Sequence, residues 1–345
     1  MSNVKLLISV DYELFFGSKT GSVQRSLIEP TAALAACVEQ AGHRLSIFVD
    51  AGFLCRAREQ GCQSEHARTA HAAVARQLTE LAGRGHDLQL HIHPHWQDCR
   101  IRDGAWEMRT ERYRLHDFDD AEIAAIVHEY KTEIETIKQA AVFAYRAGGW
   151  CLQPFARLAD PLRQSGIWLD STVYAGGYSE VRGREYDFRG APFDRDTWRF
   201  NQDPLAPESD GYFLEVPISA CRYGATAFWA LARRRLFATD ADRPFGDGAV
   251  MRATSSYYLR RLVAPTWSPV SIDQSKAGLL DAVFSHYLSR PTRGDLFNIM
   301  GHPKSLTPSG LASLGRFLRR LREATVSVTY ADFSHLEPAA ARRTP

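Results

Sequence analysis

The sequence of 345 residues predicts an α/β fold in which parallel strands form a barrel. Short apolar runs rich in Val, Ile and Leu alternate with longer segments whose apolar residues recur at helical spacing. Repeated alternation of strand and helix is typical of parallel sheets. Because no Gly-x-Gly-x-x-Gly pattern follows a predicted strand, seven or eight strand–helix units around a barrel fit this length better than a dinucleotide-binding sheet.

Each predicted strand is a short and mostly apolar run, and each predicted helix carries an apolar stripe. The strands are expected at Lys5–Val10, Arg44–Val49, Asp87–Ile92, Val142–Arg146, Ile167–Ser171, Tyr212–Val216, Leu296–Met300 and Val326–Tyr330. The helices are expected at Pro30–Gln40, Thr69–Ala82, Ala121–Ala140, Pro154–Gln164, Lys276–Leu288 and Leu311–Ala324. Gly42, Gly85 and Gly166 stand where a helix should end, a position that tolerates a left-handed backbone.

One long region interrupts the alternation. Residues Gly176 to Asp273 are rich in Arg, aromatic residues, Gly and Pro, and they contain one clear strand candidate. We interpret this region as loops and short helices over the mouth of a single barrel domain that spans residues 1–345. A separate small domain is the weaker alternative, because no polar linker marks a boundary at either end.

The composition narrows the class of protein. Lys and Arg number 42 against 40 Asp and Glu, and the resulting charge of +2 is scattered, so neither a nucleic-acid partner nor an anionic membrane is indicated. Six irregularly spaced cysteines are typical of reduced thiols. No apolar stretch approaches the ~20 residues of a membrane span, and the chain begins without a secretion signal, so we expect a cytoplasmic protein.

Chemically active side chains cluster at the predicted ends of the strands, where parallel barrels carry their active sites. Asp11 and Glu13 follow the first strand, and at strand spacing they point the same way. His91, His93 and His95 alternate at the end of the third strand. Imidazoles and carboxylates together are typical ligands of a divalent metal, which suggests a metal-dependent hydrolase. All three histidines could share one face, although Pro94 ends regular pairing after His93.

Five short stretches around these positions follow one another in a characteristic order. They are Ser9-Val10-Asp11-Tyr12-Glu13, Gly85-His86-Asp87-Leu88 with His91 to His95, Tyr145-Arg146-Ala147-Gly148-Gly149-Trp150, Leu169-Asp170-Ser171 and Asn298-Ile299-Met300-Gly301-His302-Pro303. In this order they resemble the motifs of the polysaccharide deacetylase family, also called NodB-homology or carbohydrate esterase family 4 proteins. The resemblance extends over most of the chain and implies a distorted (β/α)7 barrel.

The resemblance also implies roles at the metal. Asp11 matches the family's catalytic base, whereas the metal-binding carboxylate, which follows directly in the family, here stands one place further on as Glu13. His91 and His95 match the family's metal ligands, and by this match His93 is not a ligand. Zn²⁺ is the expected ion, since three protein groups and a water molecule are the usual catalytic zinc arrangement.

The remaining motifs supply groups around that metal. By the resemblance, Arg146 would orient Asp11, and Asp170 would tune His302, which acts as the catalytic acid. Trp150 and Trp96 offer flat apolar faces that suit a sugar ring. Asp50, at the end of the stretch Ser46-Ile47-Phe48-Val49-Asp50, would touch substrate or metal.

The implied reaction is hydrolysis of an N-acetyl amide on an amino sugar or a sugar-containing precursor, without a nucleic-acid partner. One alternative is hydrolysis of a non-sugar amide or ureide C–N bond on the same fold. A second alternative, which the altered Asp-Tyr-Glu motif permits, is a catalytically silent protein that binds sugars.

Overall fold

A computed structural model describes residues 4–102, 104–251, 262–290 and 294–341 of the chain. Its strands are β1 (Val4–Tyr12), β2 (Ser46–Asp50), β3 (Asp87–Ile92), β4 (Arg100–Arg102), β5 (Ala105–Glu107), β6 (Ala144–Ala147), β7 (Leu169–Asp170), β8 (Tyr178–Ser179), β9 (Tyr186–Asp187), β10 (Trp198–Phe200), β11 (Phe213–Glu215), β12 (Ala220–Tyr223), β13 (Thr266–Pro269), β14 (Leu296–Gly301) and β15 (Thr325–Val328). Its α-helices are α1 (Glu29–Gln40), α2 (Ala51–Gln60), α3 (Glu65–Gly83), α4 (Asp120–Lys138), α5 (Ala156–Gln164), α6 (Ala225–Leu236), α7 (Leu280–Leu288) and α8 (Pro308–Leu321).

The main sheet has nine strands and is almost entirely parallel. Its order is β10-β11-β7-β6-β3-β2-β1-β14, and β15 pairs with the first half of β1. Only the β10–β11 pair is antiparallel. The interior of β1 is wholly buried and, apart from Ser9, apolar from Leu6 to Val10, as expected for a parallel strand covered on both faces.

The sheet curls until its two ends approach each other. Beyond β11, the N–H of Ser219 donates to the carbonyl of Asn298 on β14 at 3.0 Å, and the Asn298 side-chain amide donates to the carbonyl of Pro217, also at 3.0 Å. Further along the same edge of β14, the segment 270–272 forms a short parallel bridge at Met300. The result is the distorted α/β barrel that the sequence predicts.

All six predicted helices are present, and two further α-helices among the described residues, α2 and α6, were not predicted individually. Helix α3 begins a turn earlier than expected because the Ser64 hydroxyl caps it by accepting from the N–H of Ala67. Helix α2 follows β2 without an intervening loop, so the sequence offers no turn signal for it. Gly42, Gly85 and Gly166 have φ values of +82°, +84° and +71°, as their positions at helix ends predicted.

The region from 176 to 273 is richer in strands than expected. Its described part contains the hairpin β8–β9, the antiparallel pair β10–β11, the pair β12–β13 and helix α6. Strands of two to four residues are too short to produce a visible periodicity. Residues 252–261 of this region lie outside the described residues. In the described ranges, no helix combines the length and apolarity needed to cross a membrane.

Candidate metal centre and active site

The strand register brings the predicted residues to one end of the barrel. Within the sheet, Asp50 on β2 and Arg146 on β6 are the lateral partners of His91 on β3. β1 runs beside β2 in the same direction, and its end carries Asp11 and Glu13. These side chains therefore meet where the parallel strands end, which is the end that carries active sites in parallel barrels.

Three of these side chains form a compact group of possible metal ligands. Glu13, His91 and His93 are buried, and their ligand atoms all lie within 4.8 Å of one another. Oε2 of Glu13 lies 2.6 Å from Nε2 of His93 and 3.2 Å from Nε2 of His91. Although burial opposes ionisation, Lys304 and the two imidazoles hold the pKa of Glu13 well below its usual value.

The hydrogen bonding of His91 fits a cation in this group. Its Nδ1 lies 2.9 Å from the carbonyl oxygen of Arg146, and because a carbonyl only accepts, Nδ1 must carry a proton. The lone pair of Nε2 is then left facing the carboxylate of Glu13, an arrangement that calls for a positive charge between the two atoms. A proton or a metal ion can supply it. A backbone carbonyl behind a ligating imidazole is a common support of metal sites.

His95, which the motif match assigned to the metal, lies elsewhere. Pro94 begins a 3₁₀ turn over Pro94–Asp98, so His95 no longer follows the face of β3 that carries His91 and His93. Its ring stacks on Tyr113 with a centroid distance of 5.6 Å, and neither ring nitrogen has a hydrogen-bond partner. Burial holds the pKa of His95 well below its usual value and lowers that of His93 to about 4, so both rings are neutral.

Asp11 is held by a buried arginine. Nη1 of Arg146 donates to Oδ1 of Asp11 at 2.7 Å, and the remaining guanidinium donors reach the Ser171 carbonyl at 2.8 Å and the Ser9 hydroxyl at 2.9 Å. The hydroxyl of Tyr330 is 3.2 Å from Nη2. Oδ2 of Asp11 faces the imidazoles, 3.9 Å from His91 Nε2. One carboxylate oxygen is thus fixed, while the other is directed into the site.

His302 reaches the same site from β14, but its partner is Asp273. The segment 270–272 lies parallel to β14, so that Asp273 and His302 leave the barrel side by side. Oδ2 of Asp273 lies 2.8 Å from Nδ1 of His302, and Nε2 is 3.7 Å from Oδ2 of Asp11. Burial opposes the charged imidazole, but Asp273, Asp11 and Glu13 outweigh it and raise the pKa of His302 to about 9.

The structure does not give Asp170 the expected role of tuning His302. Its carboxylate accepts from both the N–H and the hydroxyl of Thr172, each at 2.9 Å, and Glu215 is its lateral partner in the sheet. Asp273 was missed because it lies in the region without regular periodicity. The buried residues Val270 and Ile272 at alternate positions, followed directly by an acid, were the available signal.

Two expected substrate contacts are buried in the core. Trp96 is fully buried, and its indole N–H donates to Oδ2 of Asp50 at 2.7 Å, so neither side chain presents a face to a sugar. Burial raises the pKa of Asp50 to about 7, and its Oδ1 has no partner. Trp150 is only partly buried, has a left-handed φ of +67° and packs edge-on against Tyr174. Of the three predicted substrate contacts, Trp150 remains available.

Lys304 is a site residue that the motifs did not indicate. Its Nζ donates to Oε1 of Glu13 at 2.9 Å and to the carbonyl of Leu14 at 2.5 Å. The side chain is only 9% exposed. It follows His302 by two residues, after the proline that turns the chain away from β14.

Comparisons with known proteins establish the fold. No family model and no curated protein matches the sequence. A protein from Mycobacterium smegmatis, provisionally assigned as a polysaccharide deacetylase, is similar in structure with a TM-score of 0.53 and 13% identity, over 98% of this chain and 92% of that one. The 4-alpha-glucanotransferase from Thermococcus litoralis has a TM-score of 0.50 and 10% identity, over 96% of this chain and 40% of that one. At such identities the likenesses concern the fold alone, and at that level they confirm the resemblance to polysaccharide deacetylases.

Proposed function

We propose that this protein is a metal-dependent hydrolase that removes the N-acetyl group from an amino sugar or a sugar-containing precursor. The observation that carries the proposal is the buried group of Glu13, His91 and His93 beside a carboxylate, Asp11, that is fixed at one oxygen only. The motif order and the fold both agree with this reaction, since they resemble those of polysaccharide deacetylases.

The three ligand residues fit a zinc ion in its catalytic form. Two imidazoles and one carboxylate leave a coordination position for water or substrate, which is the usual arrangement of catalytic zinc. When bound, such an ion would supply Lewis acidity toward water and toward the acyl carbonyl. In this proposal His93, and not His95, is the second imidazole ligand, because only His93 lies within contact distance of Glu13.

Asp11 is the proposed general base. Because Arg146 holds Oδ1, the carboxylate keeps one orientation, and Oδ2 is left to take the proton of the attacking water. Nε2 of His302 lies 3.7 Å from Oδ2 of Asp11, so the proposed base and the proposed acid face the same part of the site.

His302 is the proposed general acid. Its contact with Asp273 holds the ring orientation and favours the protonated form of the imidazole. That proton is donated to the nitrogen of the departing amine. The side chain is 24% exposed, which lets substrate reach it, and the partly buried Trp150 provides an apolar face for a sugar ring.

The decisive experiment combines elemental analysis with acetate release from a panel of N-acetylated sugars and of non-sugar amides and ureides. In this panel D11N is expected to retain the metal and to lose about 10²–10⁴-fold in turnover, the usual contribution of a general base. D160N is the control, because Asp160 lies exposed on α5 and, among the described residues, forms an ion pair only with its helix neighbour Arg163.

Three results would contradict the proposal. The first is a purified protein that binds no divalent metal. The second is a metal-loaded protein that binds acetylated sugars without releasing acetate, which would indicate a silent sugar-binding protein. The third is full activity of D11N. Turnover of an amide or ureide alone would assign the same site to a non-sugar substrate.

A further inference from the structure

Lys304 contacts the ligand group without belonging to it. Its ammonium group donates to Oε1 of Glu13, whereas Oε2 of the same carboxylate faces the two imidazoles. The two oxygens of Glu13 are therefore divided between a lysine on one side and the candidate ligands on the other.

The position of Lys304 is fixed from several directions. The carbonyl of Leu14 accepts a second hydrogen bond from Nζ, and the rings of Phe15 and Phe16 lie 5.0 and 4.7 Å from Nζ. The carbonyl of Lys304 itself accepts from the N–H of Gly246 at 3.2 Å. A lysine held this way cannot move off as a free surface charge would.

We propose that Lys304 is a positioning residue that occupies Oε1 of Glu13 and so leaves Oε2 as the single carboxylate atom offered to the metal. The inference rests on the proposed function, because it concerns the same metal group. The inference predicts that Glu13 binds the metal through one oxygen. It also predicts that the hydrogen bond from Lys304 to Glu13, and not the positive charge of Lys304, supports metal binding.

Charge and hydrogen bonding have opposite effects on metal affinity, which makes the inference testable. A positive charge beside a divalent cation is repulsive, so removing only the charge would tighten metal binding. Loss of a hydrogen bond behind a ligand typically weakens metal binding about 10–100-fold. K304M removes both the charge and the donor, whereas K304Q removes the charge but keeps an N–H donor that can reach the carboxylate.

The test measures the Zn²⁺ dissociation constant of the full-length protein by chelator competition, together with the absorption spectrum of the Co²⁺ form. We expect K304M to bind Zn²⁺ about 10–100-fold more weakly than wild type, and K304Q to bind it as tightly as wild type or more tightly. The Co²⁺ bands of K304M should weaken, because a carboxylate that binds through both oxygens raises the coordination number above four.

K138M is the matched control. Lys138 is also largely buried, pairs with Asp87 at 3.1 Å and donates to the Leu88 carbonyl at 2.9 Å, but it does so at the start of β3, at the opposite end from His91. Its loss should lower thermal stability without changing Zn²⁺ affinity or the Co²⁺ spectrum.

Four outcomes would count against the inference. If both K304M and K304Q bind Zn²⁺ as tightly as wild type or more tightly, Lys304 affects the metal only through its positive charge. If K304M and K138M weaken Zn²⁺ binding equally, Lys304 has only a general role in packing. Failure of wild type to bind metal would overturn both this inference and the proposed function, whereas the first two outcomes leave the function intact. If K304M does not fold, K304A is refolded with and without propylammonium, an amine that can replace the missing side chain. If the amine does not restore Zn²⁺ affinity, the inference about Lys304 is also refuted.

Discussion

At the scale of single residues, His93 and His95 are only two positions apart, yet one is a candidate metal ligand and the other is a core residue. His93 closes β3, and Oε2 of Glu13 lies within hydrogen-bond distance of its Nε2. His95 lies inside the next turn, packed between the rings of Tyr113 and Trp96. The backbone change at Pro94, and not any difference in chemistry, decides which imidazole lies beside Glu13.

This difference predicts opposite effects for two otherwise identical substitutions. H93F should lower Zn²⁺ affinity by more than the ~10–100-fold that loss of an outer-shell partner costs, because it removes a ligand atom. H95F should leave Zn²⁺ affinity unchanged, because it removes two nitrogens that have no partner. The measurement is chelator competition on both purified variants, with unfolding curves to show that each is folded.

The reverse outcome has a definite meaning. If H95F loses the metal and H93F keeps it, the ligand pair is His91 and His95, as the motif match implied, and the grouping of Glu13 with His93 does not persist in the loaded protein. Equal losses in both variants would point to a site that uses all three imidazoles.

The sequence could predict the side chains that leave the ends of strands, since alternation and register place Asp11, Glu13 and His91 together with no further information. It could not predict Asp273 or Lys304. Both residues lie on chain segments that approach the site only in the folded protein. Asp273 follows a single parallel bridge beside β14, and Lys304 lies in the turn after β14.

At the scale of elements, the turn after β6 packs against the end of β3. A Cβ atom on Gly148 would lie 2.5 Å from the carbonyl oxygen of Ile92 and 2.7 Å from Nδ1 of His93. Real Cβ contacts are not that short, so the absence of a side chain at Gly148 is what allows the His93 ring its present position. The third motif therefore supports the metal group through its glycine as well as its arginine.

We expect G148A to displace the His93 ring and to weaken Zn²⁺ binding about tenfold or more, although no ligand is changed. Forcing a methyl group into this contact should also cost ~1–3 kcal/mol of unfolding free energy. G83A is the control, because a Cβ atom on Gly83, the last residue of α3, meets nothing within 4 Å. Wild-type affinity in G148A would show that the ring position does not depend on this contact.

The same scale explains which elements the sequence could define. Long amphipathic helices and fully buried parallel strands have a strong periodic signal, and all of the predicted ones are present. Helix α2 has no loop before it, and strands such as β8 and β9 have two residues each, so neither produces a pattern that stands out from its surroundings.

At the scale of the whole molecule, the barrel interior holds a second acidic pair that the proposed reaction does not use. Glu215 on β11 is the lateral partner of Asp170 on β7, and both carboxyl groups are buried. Burial and the neighbouring Asp170 raise the pKa of Glu215 well above its usual value, and burial raises that of Asp170 as well. At least one proton must therefore be held between them in the folded chain at mildly acidic pH.

This pair makes the stability of the barrel depend on pH in a defined direction. A carboxyl group whose pKa is raised on folding contributes full stability below its unfolded pKa of ~4.3, and the contribution is lost as the pH rises through the folded pKa. E215Q needs no proton, and its amide can still accept from the N–H of Val173, which now lies 3.1 Å from Glu215 Oε1. Its free energy of unfolding should match wild type near pH 4 and exceed it at high pH, and the excess should grow by at most about 1.4 kcal/mol for each pH unit.

E133Q provides the control of opposite sign. Burial opposes the ionisation of Glu133, but its contacts with His71 and Arg58, both 2.8 Å long, prevail and lower its pKa. A group with a lowered pKa contributes stability above its unfolded pKa and loses it in acid, so E133Q should be less stable than wild type at neutral pH and converge with it in acid. Denaturant unfolding of the three proteins from pH 4 to pH 9 measures both trends. If E215Q were instead less stable than wild type at high pH, Glu215 would have to be ionised in the folded barrel, with its charge balanced by the Arg146 guanidinium that also holds Asp11.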